Sequence, residues 1–102
     1  QSLPPPFEEI EHTADIAFKV LGESPQALCL NAFTALCFQF PKLTPFRPIL
    51  KGESEEAVIY ALNQSLALAD AKLGCPFKAV SHHGSFEKNS TNLISWEMIV
   101  DV

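Results

Sequence analysis

Residues 15–40 read DIAFKVLGESPQALCLNAFTALCFQF and contain two different hydrophobic periods in succession. In the first part, Ile16, Phe18 and Val20 alternate with other residues, which is the period of a half-buried β-strand. Residues 24–27, SPQA, then supply a hydroxyl for an N-cap and a proline at the first helical position. The stretch therefore predicts a strand that is followed directly by a helix.

Helical periodicity occupies two segments of the chain. Apolar residues recur at three- and four-residue spacing through residues 28–40, and the same spacing returns after a second predicted N-cap at Ser54. The second helix is expected to run up to Gly74, with Leu68 on its buried stripe. Three prolines keep the segment between the helices out of helical conformation, and residues 49–51 form at most a short strand there.

The last third of the sequence returns to the period of a strand. Residues 78–81 predict a short strand that Gly84 breaks, and the polar cluster NSTN at residues 89–92 predicts the turn of a hairpin. In residues 93–102, LISWEMIVDV, alternate side chains lie on opposite faces. Asp101 is therefore expected on the face opposite to the tryptophan.

The order of these elements predicts the α+β class, with a mixed, mainly antiparallel sheet and two helices packed on one face. A chain of 102 residues forms a single domain, residues 1–102, and the prolines near its start predict an extended leader at residues 1–6. No apolar run approaches the roughly 20 residues needed to cross a bilayer. Without a membrane span or a secretory signal at the start, we expect a cytoplasmic protein.

Charge and cysteine content exclude several classes of function. The net charge of -5 would repel a phosphate backbone overall, so direct high-affinity nucleic-acid binding is not expected, whereas a cation or a basic protein is a suitable partner. Cys29, Cys37 and Cys75 show no CxxC spacing, which predicts reduced thiols rather than a disulfide framework or a zinc knuckle. No nucleophile motif and no glycine-rich phosphate loop is present.

Carboxylates near both ends of the chain raise the possibility of a metal site. Asp101 and the terminal carboxylate of Val102 put two negative charges close together, and Asp15 would join them if its strand lay beside the last strand. Three oxygen donors suit a hard divalent ion such as calcium, magnesium or manganese. The alternative is that Asp15 caps a turn and Asp101 is a solvated chain end, and the residues alone favour this alternative.

The histidines and one lysine are weaker candidates. His82 and His83 are adjacent and would point to opposite faces of a strand, so a shared zinc ion is only a minor option. His12 is of interest because of its neighbours in the sequence. Lys78 by itself is an ordinary surface cation in an acidic protein.

Three blocks of sequence, in this order, resemble the archease family. Residues 11–16, EHTADI, resemble the HTAD signature near the start of archeases. Residues 78–84, KAVSHHG, are similar to the family's KAVTYHG-type stretch, and residues 96–102 resemble its closing strand, which also ends in Asp and an aliphatic residue. The blocks span nearly the whole chain.

The resemblance implies an accessory role rather than an enzyme. Archeases are compact α+β domains that promote guanylylation and multiple turnover of the RtcB-type RNA ligase, which joins tRNA halves after intron removal. By this resemblance, the metal ligands would be Asp15, the side chain of Asp101 and the main-chain oxygen of Val102. The functionally required lysine would be Lys78, and His12 would be a further functional or partner residue.

The sequence also departs from the family, and other functions stay open. Relatives usually carry additional strands between the second helix and Lys78, so this chain is either a shortened relative or a sequence from which a loop is absent. One alternative function is a small metal-dependent hydrolase that uses His12, Asp15 and Asp101. The other is a chaperone-like interaction domain in which the ion is structural.

Overall fold

The computed structural model describes residues 5–10 and 16–102. In chain order its elements are β1 (Phe7–Ile10), β2 (Ile16–Gly22), α1 (Pro25–Gln39), a 3-10 helix (Pro41–Leu43), α2 (Glu55–Leu73), β3 (Ala79–Lys88) and β4 (Ile94–Asp101). The strands form one sheet in the order β1-β2-β4-β3. The predicted α+β class is confirmed, and each of the described strand pairs is antiparallel.

Both helices begin where their capping residues predict. The Oγ of Ser24 accepts a 3.1 Å hydrogen bond from the backbone N–H of Ala27 at the start of α1. The Oγ of Ser54 accepts an equivalent 3.1 Å bond from Ala57 at the start of α2. Each bond satisfies one backbone donor that the first helical turn leaves unpaired.

One face of the sheet packs against both helices to form the core. The register pairs Phe18 with Met98 and Val20 with Trp96, so apolar side chains of neighbouring strands lie side by side on this face. The buried cluster combines them with the apolar stripes of α1 and α2. The burial of Trp96, which is 1% exposed, confirms the face assigned to it from the alternation of β4.

Two details of the second helix and the segment before it differ from the prediction. Leu68 is 54% exposed although the helical period put it on the buried stripe, because no described element covers that part of α2. Residues 49–51 form no strand, and the chain after α1 instead turns through the 3-10 helix. The side of α2 that carries Leu68 is therefore exposed.

The third strand does not break at Gly84, which corrects the sequence prediction. β3 continues through this glycine, and its register with β4 shifts between His83 and Glu87. Gly84 has a φ of 77°, a left-handed conformation that glycine adopts without a steric penalty. The glycine therefore accommodates a bulge within a longer strand, while the predicted hairpin between β3 and β4 is confirmed.

The leader predicted for residues 1–6 lies mostly outside the described residues. At its end, the carbonyl oxygen of Pro6 accepts a 2.9 Å hydrogen bond from the backbone N–H of Leu21 in β2. Neither described helix is long and apolar enough to cross a bilayer.

Candidate functional site

The starts of β2 and β3 meet the end of β4 at one end of the sheet. Ile16, the first residue of β2, pairs with Val100, and Ala79, the first residue of β3, pairs with Asp101. The strand that follows Asp15 in the sequence is therefore the neighbour of the last strand, as the metal hypothesis required. Asp15 and His12 themselves lie outside the described residues.

Lys78 and Asp101 are brought together by a main-chain contact. The backbone N–H of Lys78 donates a 2.7 Å hydrogen bond to the carbonyl oxygen of Asp101. Phe77, which is 5% exposed, anchors the segment in the core directly before the lysine. Both Lys78 and Asp101 are exposed. The lysine and the acidic end of β4 thus form one surface that a partner can reach.

The chemistry of the β4 end fits a hard cation. The main-chain oxygen of Asp101 is already bonded to Lys78, so the side-chain carboxylate of Asp101 and the main-chain oxygens of Val102 are the remaining donors. Val102 is 46% exposed. Within residues 5–10 and 16–102, no three His, Cys, Asp or Glu side chains form a group suited to a metal ion. A metal site at this end would therefore need a further ligand from outside those residues.

Asn63 of α2 holds the beginning of β3, a role that the sequence did not reveal. Its Nδ2 donates a 3.0 Å hydrogen bond to the carbonyl oxygen of Val80, and its Oδ1 accepts a 2.8 Å bond from the Val80 N–H. The side-chain amide therefore replaces a neighbouring strand along the outer edge of β3. This contact fixes the strand that follows Lys78. The one sequence signal was an asparagine, a poor helix former, inside a helix.

The two adjacent histidines lie on opposite faces of β3, as predicted. The ring of His82 lies 5.9 Å from the ring of Trp96 between centroids, and its Nδ1 is 2.6 Å from the carbonyl oxygen of Gly84, which makes Nδ1–H the donor. His83 pairs with Glu97 on the other face. The two imidazoles therefore do not converge on a common ligand.

Burial makes two of the three cysteine thiols less acidic. All three are free. Burial raises the pKa of the Cys29 thiol to about 11. Burial also raises the pKa of Cys37, although a side-chain hydrogen bond with Thr44 acts in the opposite direction. Thiolates are the nucleophilic form of cysteine, so these two thiols are unsuited to covalent catalysis at neutral pH.

Comparison with known proteins identifies one family. The model of the Archease protein family matches residues 7–102, which is essentially the whole chain. No curated protein and no solved structure gave a significant match. The matched range includes all three sequence blocks, both helices and the surface formed by Lys78 and Asp101.

Proposed function

Because the chain belongs to the archease family, whose proteins are accessory factors rather than enzymes, we propose that it promotes guanylylation and multiple turnover of an RtcB-type RNA ligase in tRNA splicing. The observation that supports this proposal most is the main-chain bond of 2.7 Å between Lys78 and Asp101. It joins the start of residues 78–84 to the end of β4 in one exposed surface.

The proposed metal ligands are Asp15, the side chain of Asp101 and the main-chain oxygen of Val102. The pairing of Ile16 with Val100 supports this set, because Asp15 directly precedes Ile16 and Asp101 directly follows Val100 in antiparallel strands. Oxygen donors of this kind favour calcium, magnesium or manganese. The bound ion would supply positive charge for oxygen ligands of the partner or its nucleotide.

Lys78 acts in this proposal as the contact to the ligase. Its ammonium group is exposed, while its backbone is fixed by Asp101 and by the buried Phe77 that precedes it. A fixed backbone lowers the entropy lost when the side chain meets a phosphate or carboxylate near the nucleotide site of the ligase. His12 is proposed as a further partner residue.

The net charge of the chain supports an indirect role in RNA joining. Because the protein carries a net charge of -5, RNA would repel it overall. The ligase therefore provides the RNA-binding surface. The acidic end of β4 would bind a basic surface or a cation on the ligase instead.

The test is ligation by a purified RtcB-type ligase with RNA in large excess over the ligase. We expect the wild-type protein to accelerate turnover, and Asp15→Ala and Asp101→Ala to fold but lose this effect. Glu53→Ala removes another exposed carboxylate and should behave as wild type. If the folded protein with added divalent ion leaves turnover unchanged, the proposed function is wrong.

The same assay separates the alternative functions. A metal-dependent hydrolase would turn over a substrate without the ligase. A chaperone-like domain with a purely structural ion would retain ligase activation in Asp101→Ala.

A further inference from the structure

A groove of about 660 Å³ runs along α2 on a surface that contains neither Lys78 nor Asp101. One wall is the segment of residues 47–51, and the other is an exposed stripe of α2 that includes Tyr60 and Leu68. Its volume is within the range of sites that bind small ligands.

The groove exposes large apolar side chains from both walls. Ile49 is 75% exposed, Tyr60 is 65% exposed and Leu68 is 54% exposed. All three line the same groove. Large apolar side chains that share one groove mark an interaction site more often than a single exposed side chain does.

The wall formed by residues 47–51 has the features of an unpaired strand edge. Arg47, Ile49 and Lys51 are exposed, whereas Pro48 and Leu50 are half-buried, which is the alternation of an extended chain. The backbone N–H groups after the proline form no hydrogen bond with another described residue. Such an edge can accept a further strand through main-chain hydrogen bonds.

The charges of the groove favour an acidic occupant. Arg47 and Lys51 stand on one wall and Glu56 on the other, so the lining has an excess of positive charge although the chain has a net charge of -5. An occupant with carboxylates between apolar side chains would match both the cations and the apolar surface.

We propose that this groove binds an extended peptide segment of a partner protein in which acidic and apolar side chains alternate. The peptide pairs with the backbone of residues 47–51 and packs its apolar side chains on Tyr60 and Leu68. Its carboxylates meet Arg47 and Lys51. This inference goes beyond the proposed ligase function and does not depend on it.

The experiment is selection of random displayed peptides on the full chain, followed by affinity measurement with the synthetic form of the enriched peptides. Ile49→Glu and Leu68→Glu place a carboxylate in the groove. Leu73→Glu is the matched control, because Leu73 is 47% exposed at the end of the same helix and does not line the groove. Circular dichroism establishes that each variant is folded.

We expect enriched peptides with alternating acidic and apolar residues, whose affinity falls about tenfold or more in both groove variants and is unchanged in Leu73→Glu. Their binding should also weaken as the salt concentration rises. The proposal is overturned if the selection enriches no peptide or if the enriched peptides are basic. It is equally overturned if the groove variants bind the enriched peptides as tightly as the wild-type protein does. It is also overturned if Ile49→Glu converts a dimer of this chain into a monomer, since a second copy would then be the occupant.

Discussion

The backbone N–H of Lys78 donates a hydrogen bond of 2.7 Å to the carbonyl oxygen of Asp101, and neither side chain takes part in this bond. Both side chains are exposed. The main-chain contact therefore persists when either side chain is replaced. Variants at these two positions can separate function from folding.

Lys78→Ala should abolish activation of the ligase with little change in stability. The side chain is exposed, so we expect the free energy of unfolding to change by less than about 0.5 kcal/mol. The measurement is the rate of ligase guanylylation, together with denaturant unfolding of the variant. Lys72→Ala removes an exposed cation from α2 and serves as the control. Wild-type activation by Lys78→Ala would exclude the proposed role.

Asp101→Asn should weaken binding of a divalent ion. Replacing a carboxylate by an amide removes negative charge from the proposed ligand set but keeps the shape of the side chain. At an ion concentration of about 100 times the Kd, the wild-type protein should gain about 2.7 kcal/mol of stability. The measurement is thermal unfolding during a calcium titration, with Glu53→Gln as the control. Equal calcium effects in Asp101→Asn and wild type would contradict the ligand assignment.

Asn63→Leu should destabilise the fold because it leaves two backbone groups of Val80 without partners. Both hydrogen bonds of the amide, at 3.0 and 2.8 Å, are lost. We expect a loss of about 2–4 kcal/mol in the free energy of unfolding. Denaturant unfolding measures this loss, and Gln64→Leu, an exposed neighbour in α2, should have a small effect. Faster hydrogen exchange of the Val80 amide should accompany the loss of stability in Asn63→Leu. Unchanged stability of Asn63→Leu would show that the contact between Asn63 and Val80 is not needed.

Cys29 should resist thiol reagents in the folded protein. Burial raises its pKa to about 11, so its thiolate is scarce at pH 8 and forms only as the pH rises toward that value. Because the unfolded chain ionises more readily than the folded protein, this thiol leaves stability unchanged below its ordinary pKa and lowers it as the pH rises from that value toward about 11. The measurement is mass spectrometry after limited alkylation, with Cys75, which is half-buried, as the internal comparison. Modification of Cys29 as fast as Cys75 at pH 8 would contradict this.

The elements that could be predicted are those with local signals. The hydroxyls of Ser24 and Ser54 define two helix starts, and the alternation around Phe18 and Trp96 defines two buried strands. The same alternation predicts the face of Asp101, which is exposed at the end of β4. Such patterns depend on neighbours in the sequence and need no knowledge of long-range contacts.

The features that could not be predicted depend on contacts between distant residues. The sequence indicates a break at Gly84, but the pairing with β4 continues the strand beyond it. The helical period at Leu68 does not reveal that none of the described elements covers this side of α2. Nothing in the sequence joins Asn63 to Val80. The role proposed for Lys78 has no signal in the chain other than the family resemblance.

The most direct test of the account is a double-mutant cycle on ligase turnover with Lys78→Ala, Asp101→Asn and the variant that combines both. If the two residues act as one site, the double variant should lose no more activation than the more damaging single variant, because either change already disables the site. If the losses in the two single variants multiply in the double variant, Lys78 and Asp101 act independently, and the claim of one functional surface is contradicted.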